Sequence, residues 1–162
     1  MAEPSHTTTV TSHWDSLPSE LQERILLIAR MHQTPIMIED GMAYLREYAF
    51  DKLEAWLRSD PKKRGSWPFS VRESSFLYTI VFTMCTQKPP LNFSVQLYEF
   101  LGDQAEAAGA EIAPDTREGT QWTSFFVHLF KYLDRFYIPR VRLPELKELV
   151  RSRMALSVAK RA

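Results

Sequence analysis

Prolines and apolar periodicity divide the chain into segments of helix length. Four proline-free stretches, residues 36–60, 69–88, 91–113 and 115–138, carry apolar residues three and four positions apart, and none shows a sustained strand alternation. Proline removes a backbone donor and clashes inside a helix, so helices are expected between the prolines. The pattern predicts an all-α bundle of five to six helices with short loops.

The N-terminal part of the chain changes character after residue 13. Residues 1–13 are polar, with a threonine run, and are predicted to form a flexible tail. A first helix is expected to open at Leu17-Pro18, with an apolar stripe made by Leu21, Ile25, Ile28 and Met31. A second amphipathic helix is predicted over residues 38–57, where Met42, Leu45, Ala49, Leu53 and Trp56 share one face.

Two later helices carry more large apolar residues than one buried face needs. The third, about residues 71–86, is apolar on nearly every side between Phe76 and Cys85. The fifth, about residues 120–138, holds seven aromatic residues, namely Trp122, Phe125, Phe126, Phe130, Tyr132, Phe136 and Tyr137. Each aromatic residue alone is most simply a core residue. Two such helices together favour a shared exposed patch that binds another molecule.

The remaining segments are predicted to contribute less. The basic run in residues 59–65 is interpreted as a solvated loop. The fourth helix begins near Asn92 and is expected to weaken after Gly102, with residues 105–110 contributing little packing. A last amphipathic segment, residues 144–159, leads into a basic helix end at 151–162.

Charge and composition narrow the classes of function. Twenty basic residues balance twenty acidic ones, so the chain lacks the net positive field that nucleic acid or an anionic membrane would attract. No secretory signal is visible, and no apolar run approaches the roughly 20 residues of a membrane span. With a single cysteine, a reducing compartment is expected, which places the protein in the cytoplasm and nucleus.

The sequence offers no catalytic constellation. The histidines, His6, His13, His32 and His128, include no pair with metal-ligand spacing on one helix. His128 is most simply a packed or surface histidine, and Cys85 an inert buried thiol. The five glycines are scattered singly and form no phosphate-binding loop. We therefore expect neither enzyme activity nor a metal or cofactor.

Three motifs resemble one protein family, the cullins. Residues 77–90 read Leu-Tyr-Thr-Ile-Val-Phe-Thr-Met-Cys-Thr-Gln-Lys-Pro-Pro, and Gln-Leu-Tyr follows at 96–98. Residues 132–138 read Tyr-Leu-Asp-Arg-Phe-Tyr-Ile, and residues 39–45 read Glu-Asp-Gly-Met-Ala-Tyr-Leu. All three resemble the N-terminal repeat of plant cullins of the SCF class. The resemblance spans residues 38–149 and implies a shortened five-helix cullin repeat at 35–150.

The resemblance also implies a role. In cullins, the second and fifth helices of the first repeat grip a small POZ-fold adaptor, which in turn holds an F-box protein. Carried over by motif position, the adaptor-binding residues would be Ser74, Ser75, Tyr78, Phe82, Tyr132, Arg135 and Phe136. The implied function is a non-catalytic adaptor-binding module of SCF-type ubiquitin ligases.

Three departures from the family pattern leave an alternative open. SCF-class cullins carry a large aromatic residue and a methionine where this chain has Ser74 and Ser75. The stretch between Tyr98 and Trp122 is shorter than in the family. The chain also ends before the parts with which a complete cullin binds a RING protein, which implies a competitor or regulator of full cullins. The alternative is a diverged helical interaction protein with another partner, or a homodimer.

A weaker resemblance lies at residues 14–34. Residues 13–26, which begin His-Trp-Asp-Ser-Leu-Pro, are similar to the start of an F-box. Only about the first third of an F-box would be present, and short motifs of this kind are common helix starts. A packing helix is the preferred interpretation of this segment.

Overall fold

The structure, a computed structural model, describes residues 17–161. The predicted tail, residues 1–13, and residues 14–16 of the F-box-like segment lie outside this range. All regular structure within residues 17–161 is helical, so the predicted all-α class is confirmed. The described residues divide into two compact units, one that ends at Thr34 and one that begins at Pro35.

The helices follow one another with short connections. In chain order they are α1 (Ser19–Gln33), α2 (Ile38–Leu45), the π-helical turn π1 (Arg46–Phe50), α3 (Asp51–Arg58), α4 (Val71–Thr86), α5 (Ser94–Ala108), α6 (Arg117–Leu129), the π-helical turn π2 (Leu133–Tyr137), α7 (Ile138–Val141) and α8 (Leu146–Arg161). Residues 38–58 are helical without a break, and residues 117–141 are helical except at Phe130, so each stretch is counted as one rod. The described residues then form six rods, within the predicted five to six.

Helix α1 begins as the proline predicts. The carbonyl of Pro18 accepts hydrogen bonds from the backbone N–H groups of Leu21 and Gln22, at 2.9 and 3.0 Å. Arg24 pairs with Glu20 one turn earlier at 2.8 Å. Proline in the position before the first turn loses no helical hydrogen bond, which explains why the helix starts there.

The second predicted helix has the expected bounds but contains a turn that was not predicted. Residues 38–58 are helical throughout, yet π1 inserts one wide turn in the middle. Both Ala49 and Phe50 are buried there. The ring of Phe50 stacks on Phe130 with the centroids 5.6 Å apart and meets Phe100 edge-on at 5.9 Å. The wide turn therefore lets two successive residues face the core.

Helix α4 begins and ends where the sequence predicts. Ser70 and Glu73 form a capping box, in which the Ser70 hydroxyl accepts from Glu73 N and the Glu73 carboxylate accepts from Ser70 N. Six of its side chains are buried, namely Phe76, Leu77, Ile80, Val81, Met84 and Cys85. The helix thus lies in the core of the second unit.

The expectation that residues 105–110 contribute little packing is wrong. Helix α5 does not weaken after Gly102 but continues to Ala108, and Ala105 is fully buried. A Cβ atom at Gly109 would lie 2.7 Å from Cα of Met154 in α8. Small residues here let two helix backbones approach closely, a tertiary effect that side-chain size alone does not reveal.

The rod from α6 to α7 carries the aromatic residues and is tied to the start of α8 by a hydrogen bond. It begins at Arg117, three residues before the predicted start, because the Thr116 hydroxyl caps it by accepting from Gly119 N at 3.1 Å. The turn π2 directly precedes α7, which contains Pro139. Asp134 in π2 accepts a hydrogen bond from the backbone N–H of Leu146, at 2.9 Å, and so ties π2 to the start of α8.

No helix within residues 17–161 combines the length and apolarity needed to cross a lipid bilayer.

The close approach at Gly109 gives the first prediction. Gly109→Ala should lower the free energy of unfolding by about 1–3 kcal/mol, since the added methyl group meets backbone atoms of α8 that cannot rotate away. Urea denaturation followed by circular dichroism measures this.

The matched control is Gly65→Ala, where an added Cβ meets no atom within 4 Å. This variant should leave the free energy of unfolding unchanged or raise it by up to about 1 kcal/mol. Equal stability of the two variants would contradict the close contact between α5 and α8.

Candidate interaction surface

Four aromatic side chains from α4 and from the region of π2 form a connected cluster around Tyr132. The centroid of the Tyr132 ring lies 5.9 Å from that of Tyr78 and 5.5 Å from that of Phe82, edge-on in both cases. The ring of Phe136 lies 5.0 Å from Tyr132 in a tilted arrangement. These distances are within the range of favourable aromatic pairs. We call Tyr78, Phe82, Tyr132 and Phe136 the aromatic surface.

The aromatic surface is open to solvent at its two ends. Phe82 is 45% exposed and Phe136 is 48% exposed, while Tyr78 and Tyr132 are half-buried. Helical spacing places Phe82 one turn after Tyr78. Exposed aromatic rings that lie side by side are the composition typical of binding surfaces.

Beside the aromatic surface lies a groove of about 570 Å³. It shares Tyr78 with the aromatic surface, and its lining also includes Trp67, Phe69, Ser74, Ser75, Lys131 and Arg135. We call it the serine groove. Ser74 and Ser75 are the small residues that α4 contributes to this lining.

The serine groove has cationic side chains and no carboxylate in its lining. Lys131 and Arg135 form no ion pair with any residue in 17–161. Lys131 Nζ lies 5.9 Å from the centre of the Tyr78 ring. The neighbouring carboxylate of Glu73 is engaged by Lys52 at 2.6 Å. The groove therefore offers positive charge beside apolar walls.

Burial affects the ionisation of Tyr132, the central residue of the aromatic surface. It raises the pKa of the Tyr132 phenol above its usual value, helped by the neighbouring Cys85 and Tyr78 and opposed by Arg140. The phenol, like an unperturbed one, is protonated at neutral pH and can donate a hydrogen bond.

The seven residues identified by motif position lie on one side of the second unit. Ser74, Ser75, Tyr78 and Arg135 line the serine groove, and the ring contacts of Tyr132 connect Phe82 and Phe136 to Tyr78. Whether they bind an adaptor stays a prediction. Phe76, which follows Ser75 directly, does not contribute to this surface. Its side chain is buried, and its ring packs edge-on against Tyr48 with the centroids 5.2 Å apart.

The other aromatic residues of the fifth predicted helix belong to the core. Trp122, Phe125, Phe126 and Phe130 are buried, and the rings of Trp122 and Phe126 stack at 5.2 Å. For these four residues the simpler interpretation as core is confirmed. Of the aromatic residues on this rod, Tyr132 and Phe136, which lie toward its end, contribute to the aromatic surface.

Sequence reasoning missed the segment that closes one side of the serine groove. Trp67 packs edge-on against Phe125 at 5.2 Å and against His128 at 4.8 Å. Phe69 is buried, with Lys52 above its ring. The sequence does contain a signal for this segment. Two aromatic residues flank Pro68 directly before the N-terminal cap of α4, and aromatic residues are unusual in a solvent-exposed loop.

The basic run before this segment is only partly a solvated loop. Lys62 and Lys63 are exposed, as expected. Arg64, however, lies over the ring of Trp56 at 4.7 Å and donates to the carbonyl of Ser59 at 3.1 Å. The interpretation as solvated surface is therefore wrong for Arg64, whose guanidinium holds the loop against α3.

The expected inertness of Cys85 agrees with its surroundings. The side chain is buried, and this burial raises the pKa of the thiol to about 11, although a hydrogen bond with Ser94 lowers it. His128, by contrast, is exposed and contacts Trp67. Within residues 17–161, no three His, Cys, Asp or Glu side chains are grouped as metal ligands would be.

Comparison with known proteins gives similarity to cullins of plants. Cullin-1 of Oryza sativa subsp. japonica is 30% identical over 75% of this chain and 18% of its own length. Cullin-2 of Arabidopsis thaliana is 32% identical over 68% of this chain and 17% of its own length. A cullin-like protein of Arabidopsis thaliana is 29% identical over 77% of this chain and 19% of its own length. The resemblance to cullins is confirmed.

The similarity covers only a small part of each relative. The chain spans less than a fifth of the length of the relatives that it matches. No protein-family model matches it, and no solved structure matches it. The functions of these whole proteins can therefore only be proposed for this chain.

The raised pKa of Cys85 gives the second prediction. At pH 8 a thiol with a pKa near 11 is ionised in about one molecule in a thousand, whereas an unfolded cysteine with a pKa of about 8.5 is ionised roughly two hundred times more. Alkylation by iodoacetamide at pH 8 should therefore be at least about a hundredfold slower in the folded protein than in urea.

Mass spectrometry at timed intervals measures the alkylation rate. The rate in the folded protein should rise as the pH is increased from 8 toward 10, because the thiolate fraction grows below the pKa. Rapid labelling of the folded chain at pH 8 would contradict the buried position of Cys85.

Proposed function

We propose that this chain is a non-catalytic, cullin-like module that binds a POZ-fold adaptor of SCF-type ubiquitin ligases. One observation carries the proposal. Seven residues selected by motif position alone, on two segments far apart in sequence, lie on one side of the same unit. The similarity to cullins over about three quarters of the chain supports a role in ubiquitin-ligase scaffolding.

The chemistry of the surface suits a protein partner. Aromatic residues and arginine are the types that contribute most to binding energy at protein interfaces. Phe82 and Phe136 are already exposed and would lose water contact on binding, with about 25 cal/mol gained for each Å² of apolar surface buried. Arg135 has no carboxylate partner within residues 17–161, so its guanidinium is available to an acceptor on the partner.

The same surface supports competition with full-length cullins. Two proteins that use equivalent surfaces to grip one adaptor exclude each other, and the adaptor is divided between them by concentration and affinity. We infer that this chain, when bound to the adaptor, displaces a cullin and reduces the activity of the ligase. The proposed place of action is the cytoplasm and nucleus, together with the adaptor and its F-box protein.

The serines favour a second candidate. Ser74 and Ser75 replace two bulky residues of SCF-class cullins, and loss of apolar anchors weakens an interface by a few kcal/mol. In the second candidate function, the surface binds a different partner, or it joins two copies of the chain. Sedimentation at high concentration distinguishes these cases, because a homodimer changes the sedimentation coefficient without any adaptor.

Adaptor binding gives the third prediction. Combined substitution of Tyr78→Ala and Arg135→Ala should raise the Kd for a POZ-fold adaptor at least about tenfold, which corresponds to roughly 1.4 kcal/mol. The reason is the loss of one ring from the aromatic surface and of the guanidinium beside it. Isothermal titration calorimetry with purified adaptor measures the Kd.

Tyr44→Ala combined with Arg117→Ala serves as the matched control. Both residues lie outside the aromatic surface and the serine groove, on α2 and at the start of α6. The control should bind like the unmodified chain. No binding of the unmodified chain at tens of micromolar, or equal losses in both double variants, would refute the proposed function.

Competition gives the fourth prediction. In a reconstituted ubiquitylation reaction, excess chain should lower the rate of substrate modification in proportion to the adaptor that it occupies. The Tyr78→Ala, Arg135→Ala variant should require at least about a tenfold higher concentration for half-maximal inhibition, as its weaker affinity requires. An unchanged rate at a concentration that saturates the adaptor would rule out competition.

A further inference from the structure

The serine groove is large enough to hold a ligand group and has a distinctive lining. Its volume of about 570 Å³ lies within the range of roughly 300–1,000 Å³ typical of sites that enclose a ligand group. Trp67 and Phe69 form an apolar side, Ser74 and Ser75 are small residues that α4 contributes to the lining, and the rod after α6 contributes Lys131. Space, apolar walls and positive charge therefore occur together.

We propose that the serine groove receives one bulky apolar side chain of the partner, flanked by carboxylates. This inference rests on the proposed function, and it names the feature by which this chain would choose among adaptors. The segment of the partner that enters the groove carries an aromatic or large aliphatic residue with aspartate or glutamate on either side.

The shape of the groove supports the bulky side chain. Serine side chains at 74 and 75 leave space that larger residues at the same positions would fill. A partner with a small residue opposite would leave this space empty, and unfilled apolar volume weakens packing. The Ser74 hydroxyl is buried and has no hydrogen-bond partner among residues 17–161, so it gains one if a polar atom of the partner enters.

The charges support the flanking carboxylates. Lys131 and Arg135 lie in the lining, and no acidic side chain of the lining neutralises them. A basic partner segment would meet like charge at the groove, so charge both attracts the acidic segment and rejects the basic one.

A peptide titration tests the groove without requiring an adaptor. The probe is a fluorescein-labelled peptide of twelve residues with one central phenylalanine between aspartates and glutamates. Two companion peptides carry alanine in place of the phenylalanine, or lysines in place of the acids. Fluorescence anisotropy should show the first peptide binding at least tenfold more tightly than either companion.

Filling the groove provides the decisive variant. Ser75→Phe places a ring at an exposed position of the lining, so it can occupy the groove without entering the core. It should weaken binding of the acidic phenylalanine peptide at least tenfold. Gln96→Phe, which adds the same ring to an exposed position of α5 outside the groove, should leave binding unchanged.

A charge variant tests the second half of the proposal. Lys131→Ala with Arg135→Ala should weaken binding of the acidic peptide and reduce its dependence on salt between 50 and 500 mM, because fewer charges are screened. The proposal is overturned if the peptides bind equally, if Ser75→Phe has no effect, or if nothing binds up to 1 mM.

Parallel titrations with purified POZ-fold adaptors separate the two proposals. If adaptors bind the unmodified chain and Ser75→Phe equally well, the groove is not used and the proposed function still stands. If the acidic peptide follows the expected pattern while no adaptor binds, the groove is a binding site and the proposed function is wrong.

Discussion

Helix α4 presents large apolar side chains around almost its whole circumference, and the second unit has to enclose it. Phe76, Leu77, Ile80 and Val81 are buried, and Met84 fills the space left by Gly41, where a Cβ atom would come within 2.5 Å of its sulfur. Only the side with Tyr78 and Phe82 remains partly open. Tyr132 covers that side incompletely. The aromatic surface is therefore the uncovered side of a core helix, which is where a partner gains most from burial.

Two π-helical turns shape the fold around α4. An extra residue in a turn rotates the residues that follow, so π1 brings Phe50 into the core beside Phe130. In π2, Leu133 is buried and Asp134 holds the start of α8, while Phe136 points to solvent. One turn thereby serves the core, the connection to the last helix and the aromatic surface. Such turns often occur at functional sites, in keeping with the position of π2.

The sequence patterns predicted the structural features that depend on residues close together in the chain. The bounds of α4 followed from proline-free periodicity, and the capping box of Ser70 and Glu73 enforces its start. The π-helical turns, the packing of Ala105 and the position of Trp67 depend on residues distant in sequence, so periodicity did not indicate them. For the surface, motif positions identified seven residues, but the groove became visible only when the segment with Trp67 and Phe69 was placed beside α4.

The two halves of the surface contribute different things to binding. Aromatic rings that are already exposed give affinity to any partner with a matching apolar face. The serine groove adds a condition. Loss of two anchors costs a few kcal/mol, while burial of one phenylalanine or leucine side chain recovers about 1.5–3 kcal/mol. Because these amounts are similar, a partner that fills the groove can restore what the serines removed, whereas a partner with a small residue cannot. On the proposed function, the serines would therefore change the preferred partner more than they would abolish binding.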